Sequence, residues 1–396
     1  MPKAVCHLVY NRFPQDPRVR REALALARQG YDVHVLCVRG GDEPDEELWN
    51  NIQIHRIPLR AIRGGRCRYI YQYAVLCLMF AVRLFTLAFR YQFAILHVHS
   101  LPDILVFVAL PTRFLGAKVV LDLHESMPEL YLARFPRGHR RIVPAFLLAA
   151  QRLSCAVADR AITVNEYLRS LLARRGTPAE RITVLANAPD WAANGRAPYP
   201  NALSGLPEII VVGGLNPERD HPLVLRAAKV AHEEVPFRLR IIGYGDLAYS
   251  ESLRRLIGVL GIADWASIES EVPPEAVQAL LRRTSFGIVS YKRNPLTEMA
   301  TPNKVYEYAA SGKAMVVADL PALRQLLGDA ALFYEPGDAD SLASQMIRLL
   351  QDPVERDRLA ARASEIHHAH LWTTIEERLI TLYSDLLASR PAPPSS

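Results

Sequence analysis

The chain has 396 residues, half of them apolar and 22% charged, with a formal net charge of +6. That length exceeds one ordinary domain and fits two of roughly 150–200 residues each. The composition excludes a disordered or fibrous protein, apart from the Pro- and Ser-rich tail from Arg390 to Ser396. Cys6, Cys37, Cys67, Cys77 and Cys155 are scattered, with no Cys-x-x-Cys pair. This argues for a reducing compartment and against a disulfide framework or zinc site. The apolar run Ala4–Tyr10 is broken by His7 and is too short for the core of a secretory signal, so a cytoplasmic location is expected.

Short β-branched runs alternate with helical patterns, the signature of βαβ units. In the first half, strands are predicted near Ala4–Tyr10, Asp32–Val38, Ile52–Ile57, Ala94–Val98, Val119–Leu123, Arg160–Val164 and Ile182–Leu185. Helices fall at Val19–Arg28, within Tyr69–Tyr91, and at Pro102–Leu115, Arg141–Val157 and Glu166–Arg175. The stretch Asn187–Leu206 is rich in Pro, Asn and Gly without apolar period and reads as a linker. A second series follows, with strands near Glu208–Val212, Phe237–Ile242, Ala266–Ile268, Ser285–Val289, Ala314–Ala318 and Ala331–Phe333. Its helices are Pro222–Ala231, Ser252–Leu260 and Pro302–Ser311, and the chain closes with helices Asp340–Leu350, Pro353–His367 and Thr373–Leu387. The last of these carries Ile375, Leu379, Leu382 and Leu386 on one face.

The pattern predicts an α/β fold of two doubly wound, Rossmann-like parallel-sheet domains facing a central cleft. A first domain over 1–190, a linker over 191–206 and a second domain over 207–370 are expected. Residues 371–396 supply a helix that returns to the first domain. Ligands in such sheets bind beyond the carboxyl ends of the strands.

The most informative string runs from Thr301 to Pro321, TPNKVYEYAASGKAMVVADLP. Pro302 suits a first helical turn, whose amides and dipole favour a phosphate. Lys304 adds a cation at the same end, and Glu307, one turn on, can accept from the two hydroxyls of a ribose. Thr301, Pro302, Asn303, Lys304 and Glu307 therefore describe a nucleoside diphosphate site.

This string resembles the donor-binding signature of family 4 of the retaining glycosyltransferases, which have the GT-B architecture. Four further segments resemble that family in order. They are Phe13–Leu36 (FPQDPRVRREALALARQGYDVHVL), Leu121–Leu130 (LDLHESMPEL), Ile182–Asp190 (ITVLANAPD), and Val211–Ala228 with Ile241–Gly245 (IIGYG). The resemblance implies that Glu307 is the second of the family's paired glutamates, that 301–304 hold the diphosphate, and that Arg219 stands for a diphosphate-binding lysine. It also implies that Gly243, Tyr244 and Gly245 form a glycine turn against the nucleotide. Gly214 stands where the family commonly has an arginine, a charge that Lys304 can replace. The first glutamate of the pair would fall at Met299, so Glu298 is the candidate for that task. Both departures resemble a Pro-Asn-Lys branch of the family.

On the amino-terminal side, His124 follows the strand Val119–Leu123, and a histidine at this kind of position in the family contacts the transferred sugar. Glu125, Glu129 and His99 are candidates for the sugar or acceptor, as are Arg12, Asp16 and Arg18 in and after the first loop. His97 is expected to be structural, Asp16 serves equally well as a helix cap, and Asp103 can cap the helix after its strand. No metal or other cofactor is expected. The Asp-Ala-Asp at Asp338–Asp340 opens a helix and reads as a cap rather than a metal ligand.

Residues 69–91 are the most apolar stretch, yet Arg83 near its centre argues against a membrane span. Arg68, Gln72, Arg83, Thr86 and Arg90 line one stripe, and an apolar face through Leu76, Phe80 and Leu84 would enter a membrane interface. Arg60, Arg63, Arg66 and Arg68 precede this helix, and Arg134, Arg137, Arg140 and Arg141 form a second basic cluster. Such clusters suit phosphates or anionic lipid heads, so peripheral contact with an anionic membrane is expected. Neither has the interleaved aromatics of a nucleic-acid surface, and no nucleic-acid partner is expected. The reading is a metal-independent retaining transferase. It would move a sugar from a UDP- or GDP-sugar to a hydroxyl of a glycan or lipid-linked acceptor. A sugar-nucleotide epimerase and a silent scaffold of the same fold are the alternatives.

Overall fold

The computed structural model describes residues 3–59, 66–135, 142–189 and 205–388. Arg60, Arg63, Arg137, Arg140 and Arg141, most of the linker and the tail beyond Ala388 lie outside the described residues, as do the side chains of Arg66 and Arg68. Contacts divide the chain into two units, Met1–Ala186 with Ile375–Ser396, and Asn187–Thr374.

The first unit holds one eight-stranded sheet built from β1 (Ala4–Leu8), β2 (Asp32–Val38), β3 (Glu46–Trp49), β4 (Ile52–Ile57), β5 (Ile95–His99), β6 (Lys118–Leu123), β7 (Arg160–Thr163) and β8 (Ile182–Val184). Their order is β3-β4-β2-β1-β5-β6-β7-β8. All pairings are parallel except β3 with β4. The central strands β1, β5 and β6 are buried on both faces, as a sheet covered by helices on each side requires. Sequence reasoning passed over β3, because EELW is short, lies at the edge and is mostly exposed. The helix predicted at Pro102–Leu115 is broken into short 3-10 and α turns, interrupted by Pro111. Three helices went unread, Met127–Arg134 here and Pro274–Arg283 and Pro321–Leu327 in the second unit.

The second unit contains two three-stranded parallel ladders. One is formed by β9 (Glu208–Val212), β10 (Arg238–Gly243) and β11 (Ala266–Ser270), the other by β12 (Gly287–Val289), β13 (Met315–Ala318) and β14 (Leu332–Tyr334). Tyr308 fastens them together. Its hydroxyl donates to the Ile210 carbonyl of β9 at 3.0 Å, and its ring lies so close to β12 that a Cβ on Gly287 would come within 2.5 Å of it. Asp338 caps the helix Ala339–Gln351, accepting from the Ser341 amide at 2.9 Å.

The last helix, Trp372–Ala388, docks on the first unit through Tyr383. That hydroxyl lies 2.9 Å from His97 Nδ1, and its ring meets the edge of Tyr31.

The long helix Arg66–Tyr91 corrects the expectation for its faces. Leu76, Phe80 and Leu84 are 0–1% exposed and belong to the core, not to an outer surface. Of the polar stripe, Gln72 turns inward and is bonded to the Tyr10 hydroxyl, half-buried Arg83 pairs with Glu46 on β3, and Thr86 and Arg90 are exposed. What faces outward is Tyr71, Leu78, Val82, Phe85 and Phe89, each more than half exposed. These recur at i, i+7, i+11, i+14 and i+18, which is one stripe of an α-helix. By length and composition the segment Tyr71–Tyr91 suffices to cross a membrane, but its opposite face is buried within the unit. Phe80→Ala is therefore expected to cost about 3–5 kcal/mol in a urea titration. Phe85→Ala should stay within about 0.5 kcal/mol of wild type, as exposed positions do.

Candidate active site

In the second unit the site forms where β9 and β10 end. Gly213 leaves β9 with φ +125°, a conformation that favours glycine, and its neighbours are two cations. A Cβ at Gly213 would lie 3.0 Å from Arg219 Nη1 and 3.6 Å from Lys304 Cε. Arg219 ends the 3-10 turn Pro217–Arg219, with its guanidinium 5.5 Å above the Tyr291 ring and its carbonyl accepting from Ser290 Oγ at 2.6 Å. Lys304 lies in the first turn of the helix Asn303–Ala310, one turn before Tyr308 on the same face. The contact of Tyr308 with β9 thus drives Lys304 inward, and it is only 3% exposed.

Lys304 Nζ is buried without a hydrogen-bond partner. Burial first, then the neighbouring Arg219, hold its pKa well below the usual lysine value. His221 opens the next helix, and burial first, then Lys304 and Arg219, push it down to about 3, so it adds no charge. Glu307 is raised by burial and drawn back by Lys304 and Arg219. A buried ammonium beside a guanidinium, at a helix N-terminus, is a site that an anion would complete.

The glycines of the 243–245 turn have a packing reason of their own. A Cβ at Gly243 would sit 1.8 Å from the Gly213 carbonyl oxygen, and one at Gly245 2.1 Å from that of Leu215. The Leu215 amide donates to the Tyr244 carbonyl at 2.6 Å, so the two loops touch backbone to backbone. Tyr244 itself projects outward at 66% exposure.

In the first unit, the carboxyl ends of β1, β5 and β6 carry a buried polar cluster centred on Asp122. Arg18 Nε and Nη2 donate to its two carboxylate oxygens at 2.9 and 3.1 Å, and Arg18 Nη1 to the Leu185 carbonyl at 2.9 Å. His124 Nε2 lies 2.7 Å from Asp122 Oδ2, and His99 Nδ1 lies 3.3 Å from the same oxygen. His7 Nδ1 and His99 Nε2 are 2.9 Å apart, one donating and one accepting. Burial holds His7 and His97 well below the usual histidine range, and Arg18 holds Asp122 well below the usual carboxylate range. Only His124 of this group reaches solvent, with a quarter of its side chain exposed.

Ligand atoms of His7, Glu22, His97 and His99 lie within 4.8 Å of one another. The residue types suit zinc, yet Arg18 Nε already stands 3.2 Å from Glu22 Oε1.

Two family models cover most of the chain, a glycosyl transferase 4-like domain over residues 15–188 and the glycosyl transferases group 1 over 206–352. The chain belongs to the GT-B glycosyltransferases of family 4. Among relatives of this glycosyltransferase is a phosphatidyl-myo-inositol mannosyltransferase of Mycolicibacterium smegmatis, 29% identical over 216 residues, which are 50% of each chain. A D-inositol 3-phosphate glycosyltransferase of Thermomonospora curvata is 25% identical over 68% of this chain and 66% of its own length. The chain thus spans between half and two thirds of these relatives. Among solved structures, sucrose-phosphate synthase of Thermosynechococcus elongatus superposes with a TM-score of 0.76 at 17% identity, over 98% of this chain and 100% of that one. Anabaena Alr3699/HepE in complex with UDP superposes with a TM-score of 0.72 at 13% identity, over 97% and 100%.

Against this glycosyltransferase fold, several predicted site residues take other positions. Arg18 is 5% exposed and His99 fully buried, so both hold the Asp122 cluster rather than facing a sugar. Asp16 is the N-cap of the first helix, accepting from the Arg18 and Val19 amides. Arg12 pairs with Glu43 at 2.8 Å, and Glu129 pairs with Arg175 beside Ser126. Asp103 makes no side-chain cap; it is buried, pushed up to about 7 by that burial. Glu125 is exposed beside His124. Glu298 is partly exposed in the turn Thr297–Met299, while Met299 is buried, and Thr301 is bonded to Tyr306. Asn303 is exposed and Pro302 partly so, and Gly214 leaves its surroundings open to Asn216.

Asp122 was missed from sequence. The available signal was its place two residues before His124, on the same side of an extended segment.

Because Lys304 is depressed when folded, its penalty on stability is full at low pH and fades as pH rises toward the unfolded lysine value near ~10.4. Lys304→Met should therefore melt higher than wild type without ligand at neutral pH. Adding UDP or GDP should raise the melting temperature of wild type but not of Lys304→Met, as read by calorimetry.

Proposed function

We propose that this glycosyltransferase moves a sugar from a UDP- or GDP-sugar to a hydroxyl of a lipid-linked glycan acceptor, with retention at the anomeric carbon. The observation that carries the donor assignment is the buried, unpartnered Lys304 ammonium beside Arg219 at a helix N-terminus. Relatives support its chemistry, since the superposable Anabaena protein is described with UDP and with UDP-glucose. The phosphatidyl-myo-inositol mannosyltransferase likeness supports a lipid acceptor.

In this reading Arg219, Lys304 and the helix amides bind the diphosphate and stabilise the charge that grows on it as the glycosidic bond breaks. Glu307, with Glu298 as its partner, holds the ribose. The acceptor hydroxyl attacks the face the diphosphate is leaving, and its proton passes to a departing phosphate oxygen, so no covalent enzyme intermediate is required. His124, held by Asp122, contacts the transferred sugar. Fixed cations serve in place of a metal, and the chain works in the cytoplasm, at the inner face of a membrane reached by the outward stripe of Arg66–Tyr91.

The test is release of free UDP or GDP from a nucleotide-sugar panel, which should rise when an acceptor is added. The anomeric configuration of the product, read by NMR, should match that of the donor. Inversion would overturn the mechanism. Glu307→Gln should weaken nucleotide binding by roughly 1.5–3 kcal/mol in calorimetry, the range for a hydrogen bond to a charged group. Exhaustive EDTA treatment should leave turnover unchanged; a loss restored by a divalent cation would refute metal independence.

A further inference from the structure

The first unit contains a cavity of about 520 Å³ bounded by three helices, Arg66–Tyr91, Met127–Arg134 and Ile142–Val157. Its walls are almost wholly apolar, with Cys77, Met127, Leu130, Phe146 and Ala150 among them. That volume lies in the range of about 300–1,000 Å³ typical of small-molecule sites. None of the donor machinery lines it.

Three observations say what it takes. First, it opens beside exposed apolar surface. Phe146 is a lining residue yet 69% exposed, and the outward stripe Tyr71, Leu78, Val82, Phe85 and Phe89 runs along the helix that supplies Cys77. Second, the polar atoms at its wall are incomplete. Asp103 Oδ1 and the Tyr131 hydroxyl are buried without hydrogen-bond partners, and Arg134 stands exposed among the lining residues. Third, it lies at the strand ends that carry the polar cluster. Met127 is three residues after His124 and Pro102 three after His99, within about 11 Å along an extended chain.

We propose that this cavity binds the hydrocarbon chain of the acceptor, a phosphate-bearing lipid whose head is presented toward His124. Burying the chain removes apolar surface from water on both sides. Tyr131 and Arg134 meet the phosphate, and the outward stripe rests in the membrane that delivers the lipid. The inference rests on the reading of the acceptor as lipid-linked.

The probes are farnesyl phosphate and dodecyl phosphate below their aggregation limits, with inorganic phosphate as control, added to the full chain. Calorimetry should show saturable binding of the chain-bearing phosphates and none of inorganic phosphate. The ratio of the two affinities assigns the chain as isoprenoid or straight. Ala150→Trp, which fills the cavity, should weaken binding by roughly tenfold or more. Phe85→Ser with Phe89→Ser should keep probe binding while losing sedimentation with anionic vesicles. Without any substitution, farnesyl phosphate should slow maleimide labelling of Cys77, read by peptide mass spectrometry. Unchanged labelling of Cys77, or equal affinity in a folded Ala150→Trp, overturns the cavity assignment. If UDP and GDP bind but neither lipid phosphate does, the cavity inference alone falls. If the lipid phosphates bind and no nucleotide does, the donor reading falls instead.

Discussion

Burying the Lys304 ammonium against Arg219, with no hydrogen-bond acceptor for it, is the constraint around which the second unit is arranged. A desolvated cation next to another cation is unfavourable, and the fold tolerates it because Tyr308, one turn on, is locked between β9 and β12. The helix cannot rotate Lys304 to solvent without withdrawing that ring. The strain is electrostatic, and an anion placed there would relieve it. Gly213 is shaped to the same end, since a side chain there would fall on the two cations. His221, neutral chiefly through its burial and then through these cations, adds no charge of its own.

In the first unit the corresponding centre is Asp122. Its carboxylate is fixed by a two-pronged contact from Arg18, which leaves Oδ2 oriented toward His124. A carboxylate held this way keeps the imidazole in one orientation. The rings of His7, His97 and His99 pack together behind it, and Tyr383 of the last helix closes the cluster at His97. The carboxy-terminal helix therefore completes the wall behind His124, although it is almost 250 residues away in sequence.

The helix Arg66–Tyr91 shows how the same amphipathic pattern admits two placements. Its polar stripe was legible, but a polar stripe is compatible with water or with partners inside the unit. Tyr10 draws Gln72 inward and Glu46 pairs with Arg83 at the rim, while Thr86 and Arg90 stay exposed and one apolar face is left outside. Neither partner is local in sequence, and neither carries a signal by itself.

Sequence determined the architecture and pointed to the segment that carries the candidate site. Alternation of period-2 and period-3.6 runs is a local property, so most strands and helices were legible within a few residues. The TPNKVYE string places a cation, a helix start and a carboxylate within one segment, and their chemistry needs no distant partner to be read. Tertiary structure decided which polar residues are buried and against what. Arg18 reads as a loop cation until Asp122, over a hundred residues on, accepts its two bonds. His97 and His99, two apart on β5, share one strand face, and both are enclosed, because β5 lies between β1 and β6 with helices on either side. Gly243 and Gly245 read as a nucleotide turn, and the Gly213 and Leu215 carbonyls packed against them give the same glycines a second, tertiary reason. Burial depends on what the rest of the chain brings to a residue, and a linear pattern records only the residue's own preference.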